Sequence, residues 1–315
     1  MSLEELYQRV RGEIDRVIYG QGETVHLALI ALFSSGHVLL EGVPGTAKTL
    51  LVRSIASAMN LDFSRVQMTP DLLPADISGS SIYREDTHSF EFVKGPVFTN
   101  FLLADELNRA SARTQSALLE AMQELQVTYG GISHFLPDPF VVFATQNPVE
   151  QEGTYPLPIA QLDRFMVKII VECPSAEAED QILKNHHATG GRSNPREMGI
   201  QQVISPEEIR EARDIIRGTH VRDEVISYVR QLVQATRSDD SLSVGASPRA
   251  GLMLLMGAKS AARFAERDYV TPDDVKSIFL PVVRHRVMLS PMAEMEGTRT
   301  DDVLENVLDM IEVPR

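Results

Sequence analysis

The sequence predicts an α/β domain built on a mainly parallel sheet, followed by an all-helical domain. Three observations predict it. Short apolar runs alternate with helical patterns through the first half of the chain; the runs cease after Cys173-Pro174; and one strand–helix junction carries a glycine-rich loop ending in lysine and threonine. Strands that alternate with helices imply crossover connections and a parallel sheet. The 315 residues leave room for roughly two domains of 100–200 residues, each able to bury a core.

Residues 3–18 open the chain with Leu3, Leu6, Val10, Ile14 and Val17 at three- and four-residue spacing, an amphipathic helix. After "YGQGE" a second helix runs through Ala28, Leu29 and Ala31 to about Phe33. Five runs then read as buried strands: "HVLL" (37–40), "LDFSRVQ" (61–67), "FLLAD" (101–105), "FVVFAT" (140–145) and "MVKIIVE" (166–172). Two segments interrupt the alternation as hairpins, 77–95 and 127–136, the second turning at Gly130-Gly131. From about residue 174 the pattern is helical throughout. Ser205-Pro206-Glu207-Glu208 and Thr271-Pro272-Asp273-Asp274 are capping boxes with proline at the first helical position. The linker at 188–199 is rich in glycine and polar residues, and the expected division is 1–173 and 174–315.

Composition narrows the function. With 30 basic and 44 acidic side chains the formal net charge is −14, which argues against non-specific binding to nucleic acid or an anionic membrane. Cys173 is the only cysteine, so no intramolecular disulfide and no thiolate zinc site is expected, and a reducing, cytoplasmic setting fits. No apolar run reaches the roughly 18 residues of a spanning helix, and the N-terminus has no secretory h-region.

"HVLLEGVPGTAKTLLVRSIASAM" is strand, glycine loop, helix, the context in which G-x-x-x-x-G-K-[ST] marks a phosphate-binding loop. Backbone N–H groups of residues 45–49 would point at a phosphate at the positive end of a helix. Gly42, Pro44, Gly45, Thr46, Ala47, Lys48, Thr49 and Leu50 are the candidate nucleotide contacts. Lys48 is expected to neutralise the β- and γ-phosphates of ATP and the Thr49 hydroxyl to ligate Mg²⁺. Ala47 stands where the motif has its last glycine; it is expected to enter the helix with negative φ, leaving Gly45 to supply backbone freedom.

"FLLADE" places Asp105 and Glu106 at the C-terminal end of a buried strand, the edge of an open α/β sheet at which ligands bind. Asp105 is the candidate Mg²⁺ ligand and Glu106 the candidate general base toward water. The next strand ends in "FATQNP", where Asn147 either orients the water or is a turn asparagine before Pro148.

"GVPGTAKT", "GPVFTNFLLADELNRASARTQSALLEAMQE", "ATQNPVEQEGTYPLPIAQLDRF" and "SPRA" together resemble the MoxR group of AAA+ ATPases, over nearly the whole chain. The resemblance implies an AAA+ sheet domain with hairpin insertions and a helical lid, and an alanine in the phosphate loop as a family habit. It implies an arginine finger at Arg164 that reaches a neighbouring subunit's γ-phosphate. It also implies a first sensor at Asn147 and a second at Arg249, in cis or in trans. Ile18, Tyr19 and Gly20 of "VIYGQ" match the segment that frames adenine. The implied protein is an Mg²⁺-dependent ATPase working as a homo-oligomeric ring, a hexamer. It would remodel client proteins, often metal-containing complexes, with a von Willebrand A partner. The alternatives are a nucleotide-gated switch with slow hydrolysis and a nucleic-acid motor; the acidic balance weighs against the latter.

Other signals carry less. "DISGS" (Asp76, Ser78, Ser80) lacks the apolar strand that a von Willebrand metal site follows. His186 and His187 are adjacent and project from different sides of a helix. "GLMLLMGA" reads as lid core. Arg109 and Arg113, four apart, read as one helix face, either solvated or turned to a neighbouring subunit.

Overall fold

A computed structural model of the chain describes residues 2–86, 88–148, 155–188, 190–192 and 194–314. The stretch 149–154, which carries part of the family resemblance, and two positions of the linker lie outside the described residues. Helices α1 (Leu3–Ile14) and α2 (Gly22–Phe33) precede strand β1 (Val38–Glu41), which leads through the glycine loop into α3 (Lys48–Ala58). Then come β2 (Phe63–Gln67), the short α4 (Pro74–Ser78), and the hairpin β3 (Gly79–Arg84) and β4 (Ser89–Lys94). Strand β5 (Phe101–Asp105) ends in a 3-10 turn, Leu107–Arg109, before α5 (Ala112–Glu124). The second hairpin, β6 (Gln126–Tyr129) and β7 (Ile132–Phe135), feeds β8 (Val141–Gln146); α6 (Ile159–Leu162) and β9 (Val167–Ile170) complete the sheet.

All five long apolar runs form one parallel sheet in the order β2-β5-β8-β1-β9. Its three central strands, β5, β8 and β1, are buried along their length except at their C-terminal ends, because both faces are covered. Phe101 and Leu103 of β5 join one core, while Leu102 and Ala104 join the other, the period-two alternation of a pleated strand. Both hairpins form where expected. Gly130 (φ +55°) and Gly131 (φ +78°) make the left-handed turn of the second. The hairpins also touch each other: Phe92 of β4 stacks on His134 of β7 with ring centroids 4.3 Å apart and lies 5.2 Å from Tyr129.

After α7 (Ala176–Ala188) the lid contains α8 (Pro206–Arg217), α9 (Asp223–Ser238), α10 (Pro248–Phe264) and α11 (Pro272–Val283). Both predicted capping boxes are present, Ser205 with Glu208 and Thr271 with Asp274. The lid is not purely helical. Strands β10 (Leu242–Val244) and β11 (Met288–Leu289) pair antiparallel, ahead of α12 (Pro291–Met295) and α13 (Thr300–Met310). Nor is it packed separately, because one continuous core runs from α1 and α2 through α10 and α11 to α13. Gly257 of α10 marks the closest approach. A Cβ there would fall 2.6 Å from Ile278 and 3.1 Å from Met166. Leu254 and Ala258 of the methionine-rich stretch are fully buried, as expected of lid core, while Leu252 is exposed.

Candidate active site

The glycine loop forms at the C-terminal end of β1, where the strand's last residues run against the end of β9. A Cβ on Gly42 would sit 2.4 Å from the Val171 carbonyl, so only glycine fits. Gly45 has φ +89°. Ala47 corrects the sequence reading: it caps α3 with φ +58° and ψ +20°, the left-handed region, and not with negative φ. An L-residue pays roughly 1–2 kcal/mol there. The loop is closed internally by Thr46, whose Oγ1 donates to Val43 O (3.0 Å), and externally by Gln21, whose Nε2 donates to Thr46 O (3.0 Å). Lys48 Nζ donates to the carbonyls of Gly42 (2.9 Å) and Val43 (2.7 Å). Partial burial lowers its pKa, against the opposing pull of the Asp105 and Glu106 carboxylates.

Residues of this loop and of the neighbouring strand ends surround a cavity of about 380 Å³. Gly42, Pro44, Gly45, Thr46, Ala47, Lys48, Thr49 and Leu50 line one side of it. Asp105, Glu106, Thr145, Gln146 and Asn147 line the other. The candidate carboxylates are held by neighbours from both adjoining strands. Thr145 Oγ1 donates to Asp105 Oδ1 (2.6 Å) and accepts from the Glu106 N–H (2.8 Å). Arg65 Nε and Nη2 both reach Asp105 Oδ2, at 3.1 and 2.6 Å. Gln67 Nε2 (2.8 Å) and Arg109 Nη1 (3.0 Å) both donate to Glu106 Oε2. Glu106 itself has φ +58°, so its side chain is aimed by a backbone conformation that few non-glycine residues adopt.

Arg65 and Gln67 were not among the sequence candidates. The available signal was two polar side chains at period two at the end of β2, "FSRVQ", beside the carboxylate strand; the register pairs Gln67 with Asp105. Arg109 also differs from expectation. It sits in the 3-10 turn, not on one helix face with Arg113, and it pairs with Glu106 of its own chain.

Ile18, Tyr19 and Gly20 lie apart from the phosphate cavity. Ile18 is buried in the main core, the Tyr19 hydroxyl donates to Arg16 O, and Gly20 lines a second, roughly 570 Å³ cavity between α2, the end of β9 and α11. Arg164 and Arg249 also do not line the phosphate cavity. Topology explains why. Val167 opens β9 in register with Val38, the first residue of β1, so Arg164 lies beyond the N-terminal edge of the sheet. The phosphate loop follows Glu41 at the opposite edge, and four strand residues alone separate the two by roughly 13 Å. Arg249 lies on the same side as Arg164: its helix begins after Ser247, whose Oγ donates to Asp163 (3.2 Å).

Residues 37–167 match the model of the ATPase family associated with various cellular activities (AAA), and residues 234–307 match that of the AAA lid domain. The chain is 43% identical to Chaperone MoxR1 of Mycobacterium tuberculosis, over 98% of this chain and 82% of that one. It is 31% identical to Protein MoxR of Paracoccus denitrificans, over 91% and 90%. Among solved structures, a Cytophaga hutchinsonii protein described as a "putative ATPase" superimposes with a TM-score of 0.89 at 42% identity, covering 99% and 97% of the two chains. The chain belongs to the MoxR family of AAA+ ATPases.

Proposed function

We propose that the protein hydrolyses ATP with Mg²⁺ at sites completed between the subunits of a homo-oligomeric ring, and uses the cycle to remodel client proteins. The observation that carries this reading is the placement of the arginines. The phosphate cavity and Arg164 occupy opposite edges of one sheet, which supports a finger supplied by a neighbouring subunit over one acting on its own chain's site. The same placement favours Arg249 acting in trans.

The residues present fit the implied groups. The loop offers helix-terminal N–H groups and Lys48 to phosphates. The Thr49 hydroxyl and Asp105 carboxylate are the hard oxygen donors that suit Mg²⁺, which usually takes one or two carboxylates beside phosphate oxygens. When bound, Mg²⁺ neutralises charge on the phosphate oxygens. Glu106, released from Gln67 and Arg109, takes a proton from the attacking water, and Asn147 orients that water. Arg164 of the neighbour stabilises charge that develops in the transition state. The two hairpins carry exposed Phe90 and Phe135 and are the candidate client contacts. A von Willebrand A protein is the proposed partner, on family grounds alone. Among the described residues no helix is long and apolar enough to cross a membrane, and with the single Cys173 a cytoplasmic setting is proposed.

The test is ATPase activity per subunit against protein concentration, with Glu106→Gln as the blank. A steep rise is expected. A flat, substantial rate would mean that each chain holds a complete site. Activity no better than the blank, with ATP bound, would favour the nucleotide-gated switch.

A further inference from the structure

Arg164 stands one residue from a buried knot that ties the lid to the segment leading into β9. Arg286, in the turn after α11, is almost fully buried. Its Nε donates to Asp163 Oδ1 (2.6 Å), its Nη2 to Asp163 O (3.1 Å) and its Nη1 to Met166 O (3.0 Å), with further bonds to the Phe165 and Val282 carbonyls. His285 Nε2 donates to Phe165 O (2.9 Å). From another lid element Ser247 Oγ donates to the second oxygen of Asp163 (3.2 Å). The backbone on both sides of Arg164 is therefore pinned by lid residues. Among the described residues its own guanidinium makes one hydrogen bond, Nη1 to Ala160 O (2.8 Å).

The asymmetry of this knot is informative. A guanidinium buried with a carboxylate and four carbonyls cannot exchange partners with water, and such networks have discrete arrangements. Asp163 joins two lid segments lying 84 and 123 positions away in sequence, at the residue before the finger. Two residues beyond Ser247 stands Arg249.

We infer that Asp163, Arg286 and Ser247 are positioning residues that lock Arg164 and the start of α10, with Arg249, into one block. The lid of one subunit thereby sets the arginines that its neighbour's nucleotide meets. This rests on the reading above that Arg164 acts in trans.

Asp163→Asn keeps the volume and removes the charge; Ser247→Ala removes one hydrogen bond near the surface and leaves Arg286 paired, so it carries the test if the first variant does not fold. A finger displaced by an ångström costs on the order of a hundredfold, and a hydrogen bond to a carboxylate about tenfold or more. Turnover should fall by those factors, while ATP affinity, measured in the Glu106→Gln background by calorimetry, stays unchanged, because the phosphate loop lies at the other edge. Adding Lys48→Ala subunits, which lack their own loop lysine but keep lid and finger, should restore turnover to both variants and to Arg164→Ala alike. Wild-type turnover in both variants overturns the proposal. So does a loss that Lys48→Ala subunits fail to rescue while they rescue Arg164→Ala. If Arg164→Ala itself is fully active or beyond rescue, the reading of a finger in trans falls first, and this proposal with it.

Discussion

The two edges of the central sheet handle charge in opposite ways. At the C-terminal edge the charged groups border the phosphate cavity, are only partly buried, and are cross-paired. Lys48 rests on loop carbonyls, Asp105 on Arg65, and Glu106 on Gln67 and Arg109, each a partner that a ligand can replace. At the N-terminal edge His37, His285 and Arg286 are buried, and each is bonded to backbone. His37 takes an N–H from Val142 at Nδ1 (3.1 Å), and its Nε2 donates to Met122 O (3.2 Å). The first edge keeps its charges exchangeable, and the second fixes them. The difference teaches that substitutions at the two edges should separate: nucleotide affinity at one, stability and turnover without loss of affinity at the other.

The largest expected effect lies at the exchangeable edge. Lys48→Ala removes charge-assisted bonds to phosphate, and nucleotide affinity should fall about a hundredfold or more. The melting temperature should hardly move, since the lysine is half exposed. Calorimetric titration with ATP beside a thermal melt checks both halves. Unchanged affinity would remove the loop from the site.

Acid tests the fixed edge. Burial lowers the pKa of His37 from 6.5 to about 4 and pushes that of His285 well below its ordinary value. Between pH 6.5 and 4 the unfolded chain therefore binds a proton at position 37 that the native chain refuses. The stability is fully present above pH 6.5 and is lost as pH falls toward 4, roughly 3 kcal/mol for His37. Urea unfolding across this range should show the decline, and His37→Gln should flatten part of it. An identical slope in the variant would mean that His37 is not the group responsible.

The smallest effect sharpens the comparison at one atom. Ala47→Gly removes a Cβ from a left-handed residue at the phosphate loop and should stabilise the chain by about 1 kcal/mol or less, glycine's greater unfolded freedom offsetting part of the gain. ATP affinity should stay within about twofold. A loss of stability would mean that the methyl group makes a favourable contact outweighing its strain.

Much of this was legible in the sequence because it is local. The five strands, the phosphate loop and the Asp105-Glu106 pair are each written in fewer than ten consecutive residues, and each hairpin in fewer than twenty. Ala47 was misread because the rule for residues entering a helix does not register the turn that precedes this one. Arg65 and Gln67 were passed over because a polar strand end announces nothing until its neighbour in the sheet is known. The knot of Asp163, Ser247 and Arg286 joins three remote segments, and the β10–β11 pair joins two. No pattern in one segment encodes its partner in another.

The rings of Phe92, Tyr129 and His134 pack the two hairpins against each other. They are inserted separately, one ahead of β5 and one ahead of β8, yet their rings meet. Both return the chain to the sheet at the starts of adjacent strands, whose far ends carry Asp105 and Thr145. Two adjacent parallel strands thus run from the bases of the hairpins to the threonine–aspartate bond beside the phosphate cavity.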